Sequence, residues 1–364
     1  MEQPSGVSRR QFLRYSSVVA GGLAVPSLLS ACGDAAGSKG YKGHELKSTS
    51  LVLADYGGVV RTASEKAMYA PFTKETGIGI SYAENDVAKL RLMAEKKRTV
   101  WDISVLDGFD LYPLIQAGLV QKLPDWVTRN DLVPDWARDY ATGQNAYSIC
   151  QGYRTDRLTG PRPESWADFF DVKKIPGKRT MPSNVPFGAP EMALLADGVP
   201  RDKIYPLDLD RAYAKLDELK PHLLFGDSYA ACQQFLQAGS VSLAMIPNGR
   251  FTDLASKGIP AEIVWNEALL FPWSATAVPV GAPHTDAAMA LNDFMAQPEP
   301  QAELAKLIPY GPNNSKALGL LPPDVLKRLP NSPDNARIAF TIDEAELGKI
   351  QVEYTARFHK WIAG

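Results

Sequence analysis

The stretch Ser50-Leu51-Val52-Leu53-Ala54-Asp55-Tyr56-Gly57-Gly58 decides the fold class, together with Pro71-Phe72-Thr73-Lys74-Glu75-Thr76-Gly77-Ile78 behind it. Residues 51–54 are an apolar run of strand length that ends on Asp-Tyr-Gly-Gly. Residues 60–75 have helical spacing and stop at Gly77, and Ile78-Gly79-Ile80-Ser81-Tyr82 reads as the next strand. Strand, helix and strand in that order describe a right-handed βαβ unit with its strands parallel.

The alternation continues outward. A helix from Asp86 carries Val87, Leu90 and Met93 on one face, and Trp101-Asp102-Ile103-Ser104-Val105-Leu106 is a third strand before a short helix near 111–117. A second block follows a strand at 146–152. Ser165 is placed to cap a helix over Trp166–Phe170, and 179–181 is strand-like. Helices are expected at 189–197, 209–219 and 228–238, the last capped by Ser228 and closed by Gly239. Strands at 241–246 and 262–265 come next, and an apolar run at 275–280 precedes helices at 286–297 and 343–362. The expectation is an α/β chain of two lobes, each a mainly parallel sheet flanked by helices, joined by more than one strand.

With 364 residues, the chain has room for about two domains. Hydrophobic residues are 45% and charged ones 22%, the balance of a packed body rather than a disordered one. Lys and Arg number 39 against 41 Asp and Glu, which lacks the basic excess of a polyanion binder and argues against nucleic acid as partner.

Residues 1–31 read as an address. Ser8-Arg9-Arg10-Gln11-Phe12-Leu13 resembles the twin-arginine (Tat) export consensus. The apolar segment 16–31 that follows contains Gly21, Gly22 and Pro26 and is shorter than the ~20 residues that span a bilayer. Leu29-Ser30-Ala31-Cys32 looks like a bacterial lipobox, with Cys32 acylated as the mature N-terminus. Residues 32–49 are small, polar and Gly-rich, and are expected to be a flexible tether. The body is then exported and lipid-anchored at the periplasmic or extracellular face of a bacterial membrane.

Chemical handles are sparse. His44, His222, His284 and His359 show no metal-ligand spacing, and there is no G-x-S-x-G, G-x-G-x-x-G or Walker A stretch. No cofactor and no metal are expected. Cys150 and Cys232 are read as two buried thiols rather than a disulfide. Ligand capture remains, and in open α/β sheets ligands lie beyond the carboxyl ends of the strands. Those ends carry Asp55-Tyr56-Gly57-Gly58, Asp107-Gly108-Phe109-Asp110, Ser183-Asn184 and Asn248-Gly249-Arg250. Phe271-Pro272-Trp273-Ser274 stands just before the return run, where a hinge is expected. Each set is ordinary turn chemistry on its own. Five of them at strand ends favour a site.

The 55–58 and 71–78 segments are joined by Trp101-Asp102-Ile103, by Ser165-Trp166-Ala167-Asp168, and by Leu236-Gln237-Ala238-Gly239 ahead of Asn248-Gly249-Arg250. Tyr310-Gly311-Pro312-Asn313-Asn314 follows, with Ala317 behind it. In that order they resemble the family 1 bacterial extracellular solute-binding proteins of ABC importers, in their spermidine/putrescine-binding branch. The resemblance runs from about residue 50 to 362. It implies a two-lobed type II periplasmic-binding-protein fold with 50–146 and 275–318 as lobe one, 147–274 and 319–364 as lobe two, and the last helix on lobe two. It also implies a monomer that is not an enzyme, holds a small molecule between its lobes and delivers it to permease and ATPase subunits. Tyr56, Asp107, Phe109, Trp273 and Tyr310 match or adjoin the family's site positions. The acids that polyamine binders use fall at Val185, Gly188 and Ser274 here, and the tryptophan before Asn-Gly is Pro247. Asp55, Asp107, Asp110 and Asp343 remain for one ammonium and Arg250 for an anionic group, which suits an amine-bearing solute: a polyamine, an amino acid or a related zwitterion. The alternatives are Fe(III) capture on the same fold, for which no Tyr-Tyr pair is present, and a Tat-exported enzyme using the interlobe cleft.

Overall fold

The computed structural model describes residues 40–364; the signal segment, Cys32 and the start of the tether lie outside them. Strands β1 (Ser50–Asp55), β2 (Gly79–Glu84) and β3 (Ile103–Asp107) form a parallel group in the order β2-β1-β3. After β4 (Ala141–Arg154), strands β5 (Arg179–Pro182), β6 (Leu223–Gly226) and β7 (Leu243–Pro247) form a second parallel group, β7-β5-β6. The 14-residue β4 and the 17-residue β8 (Ala261–Ala277) run antiparallel to each other and connect the groups. β8 pairs with β3, so that Asp107 stands opposite Ser274, and β4 pairs with β7. A short β9 (Phe340–Thr341) adds to β8.

Between β1 and β2 run α1 (Gly58–Ser64), a π-helical turn over Glu65–Tyr69 and α2 (Ala70–Thr76), which Gly77 ends at φ 79°. Helix α3 (Val87–Glu95) starts where Asp86 accepts the Lys89 N–H, and α4 (Gly108–Gln116) follows β3 directly. The second group carries α5 (Trp166–Phe170), α6 (Ala189–Ala196), α7 (Leu209–Leu219), α8 (Tyr229–Ala238) and α9 (Asn248–Ser256). Then come α10 (Thr285–Ala296), α11 (Pro298–Leu307), the short α12 (Ser315–Leu318), α13 (Pro323–Leu326) and α14 (Pro333–Ile338), and the final α15 (Glu344–Ala363).

Strand alternation divides the core between sheet faces. Leu51, Leu53, Ile103 and Val105 pack with Met68, Phe72 and Leu291 on one face, while Ala54 and Leu106 meet Leu90, Leu111 and Leu114 on the other. Around the second group, Met181, Leu243 and Met245 pack with Trp166, Met192, Leu216, Tyr354 and Phe358. Cys150 and Cys232 are unpaired buried thiols in a cluster with Leu236, Ile246 and Phe251.

Three local expectations change. Residues 262–265 and 275–277, read in two separate runs, belong with 271–274 to one strand, β8, which pairs along β4 with register shifts and ends at Ala277. Ser165 is the N-cap residue of α5 by backbone position, but its side chain makes no capping bond. The end of the expected tether is packed: the Tyr41 hydroxyl donates to Asp293 Oδ2 at 2.7 Å, Lys42 pairs with the same carboxylate at 2.7 Å, and His44 stacks on Trp126 at 4.4 Å. Composition marked 40–49 as Gly-rich and polar, yet its Tyr41 and Leu46 are buried.

Candidate functional site

Asp107 is the last residue of β3 and, by backbone position, the N-cap of α4. Its carboxylate makes no capping bond. Instead Oδ2 accepts the Tyr56 hydroxyl at 3.5 Å and Oδ1 accepts the Tyr147 hydroxyl at 3.3 Å, both long contacts. Burial pushes the Asp107 carboxyl up to about 6, while the two phenols draw it partly back; no cation contributes. Tyr56 follows the end of β1 and is 53% exposed, whereas Tyr147 projects from the middle of β4.

The Tyr147 ring stacks on Phe271 at 4.8 Å with planes 2° apart, and lies 6.1 Å from the Tyr310 ring. Tyr310 rests on the start of α9, where a Cβ at Gly249 would come within 3.2 Å of its ring. Arg250, in the first turn of α9, donates through Nη1 to Gln233 Oε1 at 3.3 Å, and Gln233 in turn binds Asp253. Burial raises the Tyr310 phenol to about 12; the charge of Arg250 opposes this and that of Asp107 adds to it. Tyr229, the first residue of α8, and Tyr147 are likewise pushed up by burial and then by Asp107. The field of one carboxylate therefore reaches tyrosines from four separate segments of the chain.

A second group of acids lies behind Asp107. Glu344 opens α15, is 3% exposed, and accepts the Gly108 N–H through Oε1 at 3.1 Å. Asp110 accepts from Gln351 Nε2 of the same helix. Burial, then the charge of Asp107, pushes Asp110 up to about 7 and Glu344 well above the carboxylate range.

The residues expected at the site divide. Tyr56, Asp107, Arg250 and Tyr310 surround one region, with Tyr147, Tyr229 and Gln233 added by the structure. Asp55 is committed elsewhere: its Oδ1 accepts Arg61 Nε at 2.6 Å and the Gly57 N–H at 2.8 Å. The Gly57 amide is thus used within its own turn, while Gly57 and Gly58, at φ 69° and 63°, let β1 turn into α1. Phe109 is fully buried, 4.1 Å from the Phe187 ring and edge-on to Phe271. Trp273 is also fully buried, edge-on to Trp136, because its strand position faces the core. Ser274 is a buried position of β8. Asn248 is structural: Oδ1 accepts the Ser148 N–H at 3.1 Å and Nδ2 donates to the Pro309 carbonyl at 2.6 Å. Asp343 is exposed and caps α15 by accepting the Ala345 and Glu346 N–H groups, and Asn184 is exposed. Tyr147 had no sequence signal, since it sits inside a strand rather than at its end. Tyr229 had a weak one, directly behind the capping Ser228.

Comparison with known proteins bears on the family and the fold. Residues 67–333 match the family described as bacterial extracellular solute-binding protein. The chain is 31% identical over 331 residues to a gamma-aminobutyric acid (GABA)-binding protein of Pseudomonas aeruginosa, covering 88% of this chain and 92% of that one. It is 26% identical over 306 residues to the spermidine/putrescine-binding periplasmic protein of Escherichia coli K12, covering 80% of this chain and 87% of that one. Among solved structures, the Atu4243 GABA receptor superposes with a TM-score of 0.80 at 32% identity, over 86% of this chain and 97% of that one. These relatives are named for the solutes they hold and not for reactions. Matched along most of its length in sequence and in fold, this chain belongs to the bacterial extracellular solute-binding protein family.

Proposed function

We propose that the chain is the substrate-binding lipoprotein of an ABC importer, exported by the Tat route and anchored through Cys32. It captures a small solute bearing both an ammonium and a carboxylate, with GABA as the leading candidate, and hands it to a permease. The lobes that close on the solute are 50–146 with 275–318 and 147–274 with 319–364. The observation that carries this reading is that Asp107 and Arg250, of opposite charge, both act on the Tyr310 phenol. Asp107 has no cation to lower its carboxyl, and the half-buried Arg250 is held by Gln233, with Asp253 beyond it. A carboxylate pushed up by burial is relieved by an ammonium, and a half-buried guanidinium can fork onto a carboxylate, so a zwitterion suits both ends.

The rings of Tyr147 and Tyr310, 6.1 Å apart, stand between the two ends and favour a solute whose charges are separated by several methylenes over an α-amino acid. Their faces, with Tyr56 and Tyr229, attract a cation by about 0.5–2 kcal/mol each at best. Spermidine is less well matched: Asp110 and Glu344 are turned to Gln351 and Gly108, while Asp107 is the carboxylate that accepts the Tyr56 and Tyr147 hydroxyls. Calorimetry with GABA, glycine, putrescine and spermidine tests this. GABA is expected to bind most tightly. Tight spermidine binding that survives Arg250→Ala would replace the zwitterion by a polyamine.

A further inference from the structure

Helix α4 begins at the carboxyl end of β3, beside Asp107, where an α/β protein ordinarily offers a helix N-terminus to an anion. Such a terminus carries unpaired N–H groups and about half a positive charge. In this chain the position is already taken from within. Glu344, carried by α15 from 236 residues away, places Oε1 on the Gly108 N–H at 3.1 Å. The fit is close: a Cβ at residue 108 would lie 2.5 Å from Glu344 Oε2 and 2.8 Å from Trp273 Nε1, so only glycine allows the approach.

A separate feature gives the same spot a second donor. Trp273 is fully buried, and its Nε1 has no hydrogen-bond partner. It faces the Glu344 carboxyl outside hydrogen-bond geometry, and burial with the charges of Asp107 and Asp110 holds that carboxyl well above the usual carboxylate range. Glu344 Oε2 is equally buried and without a partner. An indole N–H and a helix-terminal N–H thus converge on one position, and a protein carboxyl fills it.

We propose that Glu344 is a specificity-determining residue of the cleft: by occupying the donor-lined position at the start of α4, it refuses a carboxylate there and leaves the solute's anionic end to Arg250. The inference rests on the zwitterion reading for its consequence, although not for the occupied position itself. Without Glu344, the Gly108 and Trp273 N–H groups would be free to hold a carboxylate beside Asp107. A dicarboxylate such as succinate would then compete with GABA. Glutamine at 344 retains an acceptor for the Gly108 N–H and fills the same volume, so it keeps the position closed.

The test compares wild type, Glu344→Gln and Glu344→Ala by calorimetry with GABA and succinate, and by following the Gly108 amide and Trp273 indole signals in nitrogen-15 NMR during acetate titration. In Glu344→Ala the preference for GABA over succinate should fall at least tenfold, and acetate should shift both signals. Wild type and Glu344→Gln should keep their preference within about threefold of each other and show neither shift. A folded Glu344→Ala that retains the wild-type preference and does not respond to acetate overturns the proposal, as does an equal acetate response in wild type. Should Ala loosen α15 from α4, Glu344→Ser carries the same two readouts with the same expectations. Acetate is independent of the natural solute. If wild type fails to bind GABA, the zwitterion reading falls, while the acetate arm still decides whether Glu344 closes the anion position.

Discussion

Replacing Asp107 with Asn preserves the size of the side chain and removes its charge, and the loss for an ammonium-bearing solute can be sized from the unliganded site. Burial raises the Asp107 carboxyl from 3.8 to about 6, so the ionised form is disfavoured by about 3 kcal/mol. An ammonium that settles on this carboxylate relieves much of that penalty. A charge-assisted hydrogen bond contributes about 1.5–3 kcal/mol, the same range reached from the opposite direction. Asp107→Asn should therefore weaken GABA binding about 10- to 150-fold at pH 7.5, read by isothermal calorimetry. The pH profile adds a second signature. Below about pH 6 a proton competes with the ammonium for wild-type Asp107, so Kd should rise about tenfold per pH unit, whereas the variant lacks this component. A folded variant that binds GABA within threefold of wild type and keeps the wild-type pH profile would refute the assignment of the ammonium to Asp107.

Arg250→Ala should weaken GABA at least tenfold while leaving n-butylamine, which has no carboxylate, unchanged; equal losses for both would remove Arg250 from the anion role. Tyr41→Ala should lower stability in urea by about 3 kcal/mol, through a lost buried ring and its bond to Asp293, with the GABA Kd unaltered. Asp107 and Asp110 have folded-state values raised to about 6 and about 7, so between roughly pH 4 and 7 the folded state binds the extra protons and these two groups stabilise it as the pH falls. The unliganded protein should accordingly gain more, or lose less, stability between pH 7.5 and 5 than Asp107→Asn does; a variant with the wild-type difference would contradict the raised carboxyl. Replacing Arg9 and Arg10 by Lys should stop export despite the conserved charge, and an unmodified Cys32 in the mass of the mature N-terminus would exclude the lipid anchor.

Periodicity by itself determined most of the elements here, because each depends on residues a few positions apart. Apolar runs gave β1, β2, β3 and β7, while Asp86, Ser228, Gly77 and Gly239 marked helix ends through bonds made within one turn. The family resemblance rested on the same local stretches. Asp107, Arg250, Tyr56 and Tyr310 were legible as candidates since each stands at or near the end of a strand or turn. The continuity of β8 was not, because the pairing that makes 261–277 a single strand is supplied by residues more than a hundred positions earlier. Nor could local pattern distinguish Asp55 from Asp107, two aspartates that close parallel strands just ahead of glycines. Tertiary structure decided between them. Arg61 swings onto Asp55 and neutralises it, whereas burial among Tyr56 and Tyr147 leaves Asp107 with phenols and no cation. Glu344 belongs to the same class: a carboxylate at the start of a helix reads as favourable end chemistry in sequence, and only the packing of α15 on α4 brings it to the Gly108 amide.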